Sequence, residues 1–254
     1  MSLDRLIQAE SDLRAGLAPS PPPEEAFVGG GDYIQISQEF LRYFVEIAGL
    51  EPSHNVLDVG CGIGRMAAGL SRYLDPEQGR YIGFDPVRPG IDWCVKAYAD
   101  KPYFAFHWVD LYNELYRPEG SVLATRFRFP ADDAFADLAV LTSVFTHLYE
   151  PEIAAYLREL KRVVKPTGRI FATAYLFDGD APAENAWPHL AFNISDPSYP
   201  HRWHVDGFPP LAAVCFKESY FAALVEDCTG RKADIRPGRW RGGPGPWFQD
   251  LVLI

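Results

Sequence analysis

The chain has 254 residues, 48% of them hydrophobic, and 34 acidic against 24 Lys and Arg side chains, for a net charge of -10. This supports one sizeable core and argues against a general nucleic-acid binder, which needs clustered basic residues to neutralise phosphates. No stretch approaches the roughly 18 uncharged apolar residues of a membrane span.

The start MSLDRLIQAE has neither the basic residues nor the apolar run of a signal peptide. Cys61, Cys94, Cys215 and Cys228 are scattered, with no C-x-x-C pair, so the expectation is a reduced, cytoplasmic protein without a cysteine zinc site. Leu3, Leu6, Ile7, Leu13 and Leu17 fit a short amphipathic helix, and the four prolines of APSPPPEEA make a stiff connector. Residues 1–28 are therefore expected to form a helical arm and linker, with the main domain at 29–254. After the Gly run of FVGGGDY, the apolar positions Ile36, Phe40, Phe44, Ile47 and Leu50 give a second helix, stopped near Gly49.

The centre alternates between strand and helix. NVLDVG, GRYIGFD, YFAFHWVD, FADLAVLTSVF and GRIFATAYLF read as strands. RMAAGLSRYL, GIDWCVKAYAD and EPEIAAYLRELKRVVKP read as helices, the last ended by Pro166. Alternation at this spacing predicts a parallel sheet with helices on both faces. Residues 178–210 are long, Pro-rich and aromatic, the composition of a lid or binding loop on the substrate side. KESYFAALVEDCTG reads as a helix ending at Gly230, and KADIRPGRW and PWFQDLVLI as a closing hairpin.

The stretch from Asp58 to Gly64, DVGCGIG, follows a strand and opens a helix. Gly60 and Gly62 let a ligand lie against the backbone, and Gly64 permits close packing of the helix. Gly62-x-Gly64-x-x-Ala67 also satisfies the dinucleotide fingerprint, a weak signal alone, and no hydride-transfer constellation accompanies it. Asp58 would repel a pyrophosphate but suits a cationic amino-acid head. Asp85 at the end of the second strand can accept both ribose hydroxyls, and Asp110 at the end of the third can accept from an adenine amine.

With these residues in view, the chain resembles the class I S-adenosylmethionine (SAM)-dependent methyltransferases. VLDVGCGIGR matches that family's first motif and GFDP its ribose-binding acidic motif. FADLAVLTSVFTHL resembles the fourth-strand motif, and YLRELKRVVKPTGRIFAT the following helix–strand segment, with Thr167 in place of a glycine. SVFTHL and GRWRG…WFQDLVL are similar to a bacterial subgroup of small-molecule methyltransferases. The resemblance implies a Rossmann-like α/β fold, a seven-stranded mostly parallel sheet whose last strand is antiparallel. It implies SAM as cofactor, converted to S-adenosylhomocysteine. It implies cofactor contacts from Tyr33, Asp58, Gly60, Cys61, Gly62, Gly64, Arg65, Asp85, Pro86, Asp110, Leu111, Thr142 and Ser143.

Transfer to a hydroxyl needs a base. His147 follows the fourth strand in SVFTHL, and its bland alternative is to brace the helix that begins at Glu150. His201 and His204 in the 178–210 segment are the rivals. The same two histidines with Asp206 resemble part of a metal set but lack helical context and a further clear ligand. Trp187, Tyr199, Trp203 and Phe208 could wall a planar or sugar acceptor. The expected partner is a small-molecule methyl acceptor, most simply a sugar or natural-product alcohol. A nitrogen acceptor and a non-catalytic SAM-binding module are the alternatives.

Overall fold

A computed structural model describes residues 2–27, 29–183, 187 and 190–254. The chain divides into two compact units, Met1–Asp110 with Phe129–Val140 and Val163–Arg169, and Leu111–Arg128 with Leu141–Arg162 and Ile170–Ile254.

In the first unit, strands β1 (Asn55–Val59), β2 (Arg80–Asp85), β3 (Phe104–Trp108) and β4 (Ala136–Leu141) are parallel, in the order β3-β2-β1-β4. The reversal of strand order at β1 opens a crevice beyond the carboxyl ends of β1 and β4, the usual ligand position in such sheets. β1 is buried from Val56 to Val59, as a central parallel strand requires. Its first residue and β4 are tied by Asp137, which accepts from the Asn55 amide at 2.8 Å and from Lys165 Nζ at 2.8 Å.

Helix α1 (Ser2–Arg14) buries Leu6, Ala9 and Leu13, one stripe at helical spacing, and packs on α2 (Tyr33–Glu46) and α3 (Arg65–Tyr73). Arg72 donates to Asp12 at 2.5 Å and Arg42 to Glu10 at 2.5 Å across these contacts. α2 starts on Asp32, whose carboxylate accepts from the Gln35 amide at 2.7 Å. Gly69 lets α2 and α3 approach: its amide donates to Ser37 Oγ, and an added Cβ would meet Ser37 and Leu41 at 3.1–3.2 Å. Helix α4 (Arg88–Ala97) completes the β2–β3 crossover.

The second unit holds α5 (Glu150–Val163) up to Arg162, most of β5 (Val164–Phe177), β6 (Phe192–Asp196), β7 (Tyr199–Val205), β8 (Val214–Lys217), α6 (Glu218–Thr229), β9 (Asp234–Arg236) and β10 (Asp250–Leu253). β10 is antiparallel to β5 and to β9, giving the closing hairpin expected from the sequence. α6 ends on Gly230 at φ +75°. Seven strands, β1 to β5 with β9 and β10, correspond to the expected sheet, and β6, β7 and β8 are additional.

Two sequence expectations are corrected. Pro166 does not end α5: the helix stops at Val163 and Pro166 lies inside β5. A proline disfavours helical geometry in the residue before it, so the chain is already extended by Lys165. The segment read as a loop instead contains the antiparallel pair β6–β7, joined through Pro197 and Ser198. Asp196 Oδ1 accepts from the Ser198 amide at 2.9 Å and closes that turn. β7 pairs with β8 over Arg202–His204, which leaves Pro200 outside that ladder.

Asp250, fully buried, organises the closing hairpin. It accepts from the amides of Leu176 and Gly238 at 2.8 Å, from Trp240 Nε1 at 2.8 Å and from Arg241 Nε at 2.6 Å. Trp240 joins Tyr175, Phe177, Phe192, Val205 and Cys215 in one apolar cluster.

Candidate active site

In the first unit the turn after β1 is built on glycine. Gly60, Gly62 and Gly64 have φ of +71°, +56° and +78°, a region costly for residues with a Cβ. The amides of Gly60 and Cys61 both donate to the Phe84 carbonyl at 2.9 and 3.1 Å, which seats the turn on the end of β2. A Cβ on Gly64 would lie 2.8 Å from Cys94 Sγ, so this glycine admits α4 beside the turn. Cys61 and Cys94 are buried, and burial pushes both thiols up, away from thiolate chemistry.

Asp85 clamps the turn. Its Oδ2 accepts from the Gly62 amide at 2.9 Å and its Oδ1 from the Val87 amide at 2.8 Å. Burial raises its pKa to about 6 against these two bonds. The carboxylate thus fixes the backbone of the turn. Pro86 accepts from Trp108 Nε1 at 3.0 Å, and Asp110 follows two residues later, partly buried.

Asp58 is fully buried and accepts from Tyr81 Oη at 2.7 Å. Burial raises its pKa to about 7, opposed by the Tyr81 bond and assisted by the charge of Asp85. Tyr33 donates to the Ile63 carbonyl at 3.0 Å, so the start of α2 lies against the glycine turn. Two buried polar atoms of this region lack a partner among the described residues, Asp58 Oδ1 and Arg65 Nε. One accepts and the other donates. An amino-acid zwitterion offers the complementary ammonium and carboxylate, so the residues present fit the methionine end of SAM.

In the second unit, Leu111 is buried and bridges Val122, Thr142 is partly buried, and Ser143 sits at φ +60°. A serine held there stores about 1–3 kcal/mol of backbone strain. Its amide donates to Thr173 Oγ1 at 2.8 Å, its hydroxyl to Gln249 Oε1 at 3.0 Å, and its carbonyl accepts from Thr146 Oγ1 at 2.9 Å. This bracing fixes the turn that carries His147. His147 Nδ1 lies 2.8 Å from the Leu211 carbonyl and Nε2 lies 3.3 Å from Tyr116 Oη. A carbonyl only accepts, so Nδ1 carries the proton, and a neutral ring then keeps its lone pair on Nε2. Burial lowers the His147 pKa below 6.5, opposed by the Leu211 bond. The arrangement is that of a neutral imidazole with a fixed tautomer, chemically a base.

The rival histidines are otherwise engaged. His201 Nε2 is 2.8 Å from Glu150 Oε1, and its ring stacks on Tyr220 at 3.6 Å. Glu150 also accepts from Arg202 at 2.7 Å, and Arg202 reaches Asp196 at 2.5 Å between the rings of Tyr149 and Tyr199. His204 is buried, with Nδ1 3.1 Å from the Pro210 carbonyl and its pKa lowered by burial. The four aromatics divide: Trp187 meets Phe248, Tyr199 covers Arg202, Trp203 packs on the apolar cluster and Phe208 is exposed. The sequence reading missed Tyr116, Glu150, Arg202 and Gln249 as members of these networks. All four act through partners distant in sequence, and no spacing marks them. Among the described residues no helix is long and apolar enough to cross a membrane.

The chain matches the family described as a methyltransferase domain over residues 57–172, a little under half of its length. An uncharacterised methyltransferase of Schizosaccharomyces pombe is 31% identical over 121 residues, 48% of this chain and 40% of that protein. The chain therefore spans well under two thirds of that relative. A putative SAM-dependent methyltransferase of Methanococcus maripaludis superposes with a TM-score of 0.55 at 14% identity, over 87% of this chain and 85% of the other. A Burkholderia thailandensis 1,6-didemethyltoxoflavin N1-methyltransferase, solved with its acceptor and S-adenosylhomocysteine, gives 0.51 at 16% identity, over 99% and 87%. Residues 57–172 thus match a methyltransferase domain, and the chain has the Rossmann-like α/β fold seen in solved SAM-dependent methyltransferases.

Proposed function

We propose that the protein is a SAM-dependent methyltransferase that methylates a hydroxyl of a small molecule, such as a sugar or natural-product alcohol, with His147 as the base. In this reading residues 29–254 form the methyltransferase domain, residues 1–28 are its arm, and 178–210 contribute on the acceptor side. Asp85 receives the ribose hydroxyls and Asp110 the adenine amine. Asp58, Tyr33 and Arg65 attend the methionine end, and Gly60, Cys61, Gly62 and Gly64 supply the backbone. Pro86, Leu111, Thr142 and Ser143 complete the contacts.

Bound SAM supplies a methyl group activated by the sulfonium charge. The chain's own part is alignment and removal of the acceptor proton. The observation that carries the hydroxyl reading is the hydrogen bond from His147 Nδ1 to the Leu211 carbonyl, which commits Nε2 to proton acceptance. His201 is a secondary candidate because Glu150 holds its Nε2, and His204, which shares the Nδ1–carbonyl arrangement of His147, is secondary because its side chain is buried. The acidic net charge supports a small acceptor over a nucleic acid.

A nitrogen acceptor is the second reading, favoured by the fold shared with the Burkholderia N1-methyltransferase. It needs less of a base, so His147→Ala would slow transfer to an alcohol strongly and to an amine weakly. Incubation with labelled SAM and a panel of alcohols, phenols and amines tests the proposal. Turnover of amines alone would reject the hydroxyl assignment, and SAM binding with no transfer to any member would favour a non-catalytic binding module.

A further inference from the structure

We propose that Tyr116 is a catalytic residue of the same reaction: its phenol contacts the acceptor hydroxyl and relays the acceptor's proton to His147. The inference rests on the assignment of His147 as the base. It comes from a segment, residues 111–128, whose sequence shows no helical or strand periodicity.

The geometry is specific. With Nδ1 bonded to the Leu211 carbonyl, the lone pair of a neutral His147 ring is on Nε2, and Tyr116 Oη lies 3.3 Å from it. A phenol facing an imidazole lone pair donates to it. The two rings meet edge to face at 5.3 Å and 86°. Asn113, itself buried, fixes both sides of the pair. Its Oδ1 accepts from the amides of Leu115 and Tyr116 at 3.0 and 2.9 Å, and its Nδ2 donates to the His147 carbonyl at 3.4 Å. The Asn113 backbone is closed onto Arg117 by reciprocal hydrogen bonds of 3.1 and 2.8 Å. Tyr116 is 44% exposed, whereas His147 is largely covered. The phenol therefore stands between the accepting nitrogen and solvent, where an incoming hydroxyl arrives.

A phenol oxygen can accept one proton as it gives up another, so the pair can move charge without a free phenolate. The acceptor oxygen attacks the methyl carbon while its own proton passes to Tyr116 Oη and the Tyr116 proton passes to His147 Nε2. The new O–C bond forms as the C–S bond breaks, and the electron pair of that bond stays on sulfur. The products are the methyl ether, S-adenosylhomocysteine, neutral Tyr116 and protonated His147, which returns its proton to solvent. The 3.3 Å separation is of the kind that shortens when the reacting complex forms.

The test is Tyr116→Phe in the full chain, which keeps the ring and its edge-to-face contact. Nitrogen-15 NMR follows the His147 imidazole across pH, and tritium-labelled SAM follows transfer to phenols and sugars. A hydrogen bond into the lone pair favours the neutral ring, so its removal is expected to raise the His147 pKa by on the order of 0.5 units. Turnover is expected to fall about 100-fold, with affinity for S-adenosylhomocysteine within about twofold of wild type. The double variant with His147→Ala is expected to be no slower than His147→Ala alone. An unchanged His147 pKa in Tyr116→Phe overturns the pairing, and this readout needs no acceptor. Full turnover by Tyr116→Phe beside an inactive His147→Ala overturns the relay but keeps His147 as base. Full turnover by His147→Ala overturns both.

Discussion

Acidifying the ligand-free protein from pH 8 to pH 5 is expected to stabilise the fold through the two carboxyl groups at the glycine turn. Asp58 is held at about 7 and Asp85 at about 6, each raised from 3.8 chiefly by burial. A group whose folded pKa is raised binds its proton more tightly folded than unfolded. Its contribution is fully present below 3.8 and is lost as pH rises through the folded value. Between pH 5 and 8 the change spans about two units for Asp58 and one for Asp85. At about 1.4 kcal/mol per unit this sums to about 4 kcal/mol, shared by the pair because the two charges interact. His147 and His204 act in the opposite direction below pH 6.5, since burial lowers their pKa values. The comparison is therefore with Asp58→Asn. Urea unfolding at pH 8, 7, 6 and 5 should give a stability that rises on acidification more steeply in wild type than in the variant. Equal slopes would refute a neutral Asp58 in the ligand-free fold. The corollary concerns cofactor: an arriving ammonium favours ionised Asp58, so binding releases a proton below pH 7. Affinity should then weaken by up to about 100-fold from pH 8 to pH 5, measurable by calorimetry.

His147→Ala should leave cofactor affinity within about twofold and lower turnover of an alcohol acceptor by about 10²–10⁴-fold. In wild type the acidic limb of the pH–rate profile should lie below 6.5, because burial lowers the His147 pKa and protonation removes the base. Asp250→Ala removes the acceptor of four donors and leaves Arg241 facing a buried vacancy. It should cost about 3–5 kcal/mol in denaturant unfolding, and a loss under about 1 kcal/mol would show that Glu218 and water compensate.

What could be read in the sequence followed how local the determining physics was. The apolar run Val56–Val59, the glycines after it and Asp85 at the end of β2 lie within single βα units, and their pattern names the elements directly. The closing hairpin was legible because Gly and Pro bracket two short apolar runs. The β6–β7 pair was not, because its prolines signal loop while its strands are decided by β8, a partner contributed from further along the chain. At the candidate site, the glycine turn and its acids could be inferred from chain order. Ranking the three histidines could not. His147 differs from His201 only in what it touches, a carbonyl and a phenol in one case and a carboxylate in the other. Those partners, Leu211, Tyr116 and Glu150, lie 31 to 64 residues away.

The most direct test of the central claim is isothermal calorimetry of the full chain with S-adenosylhomocysteine, beside Asp85→Ala at matched thermal stability. Wild type should bind with a dissociation constant well below millimolar. The variant, deprived of hydrogen bonds to a charged acceptor worth about 1.5–3 kcal/mol, should bind about 10- to 150-fold more weakly. No heat of binding to wild type at millimolar ligand, or equal affinity in the two proteins, would contradict the assignment of the glycine turn and Asp85 as the cofactor site.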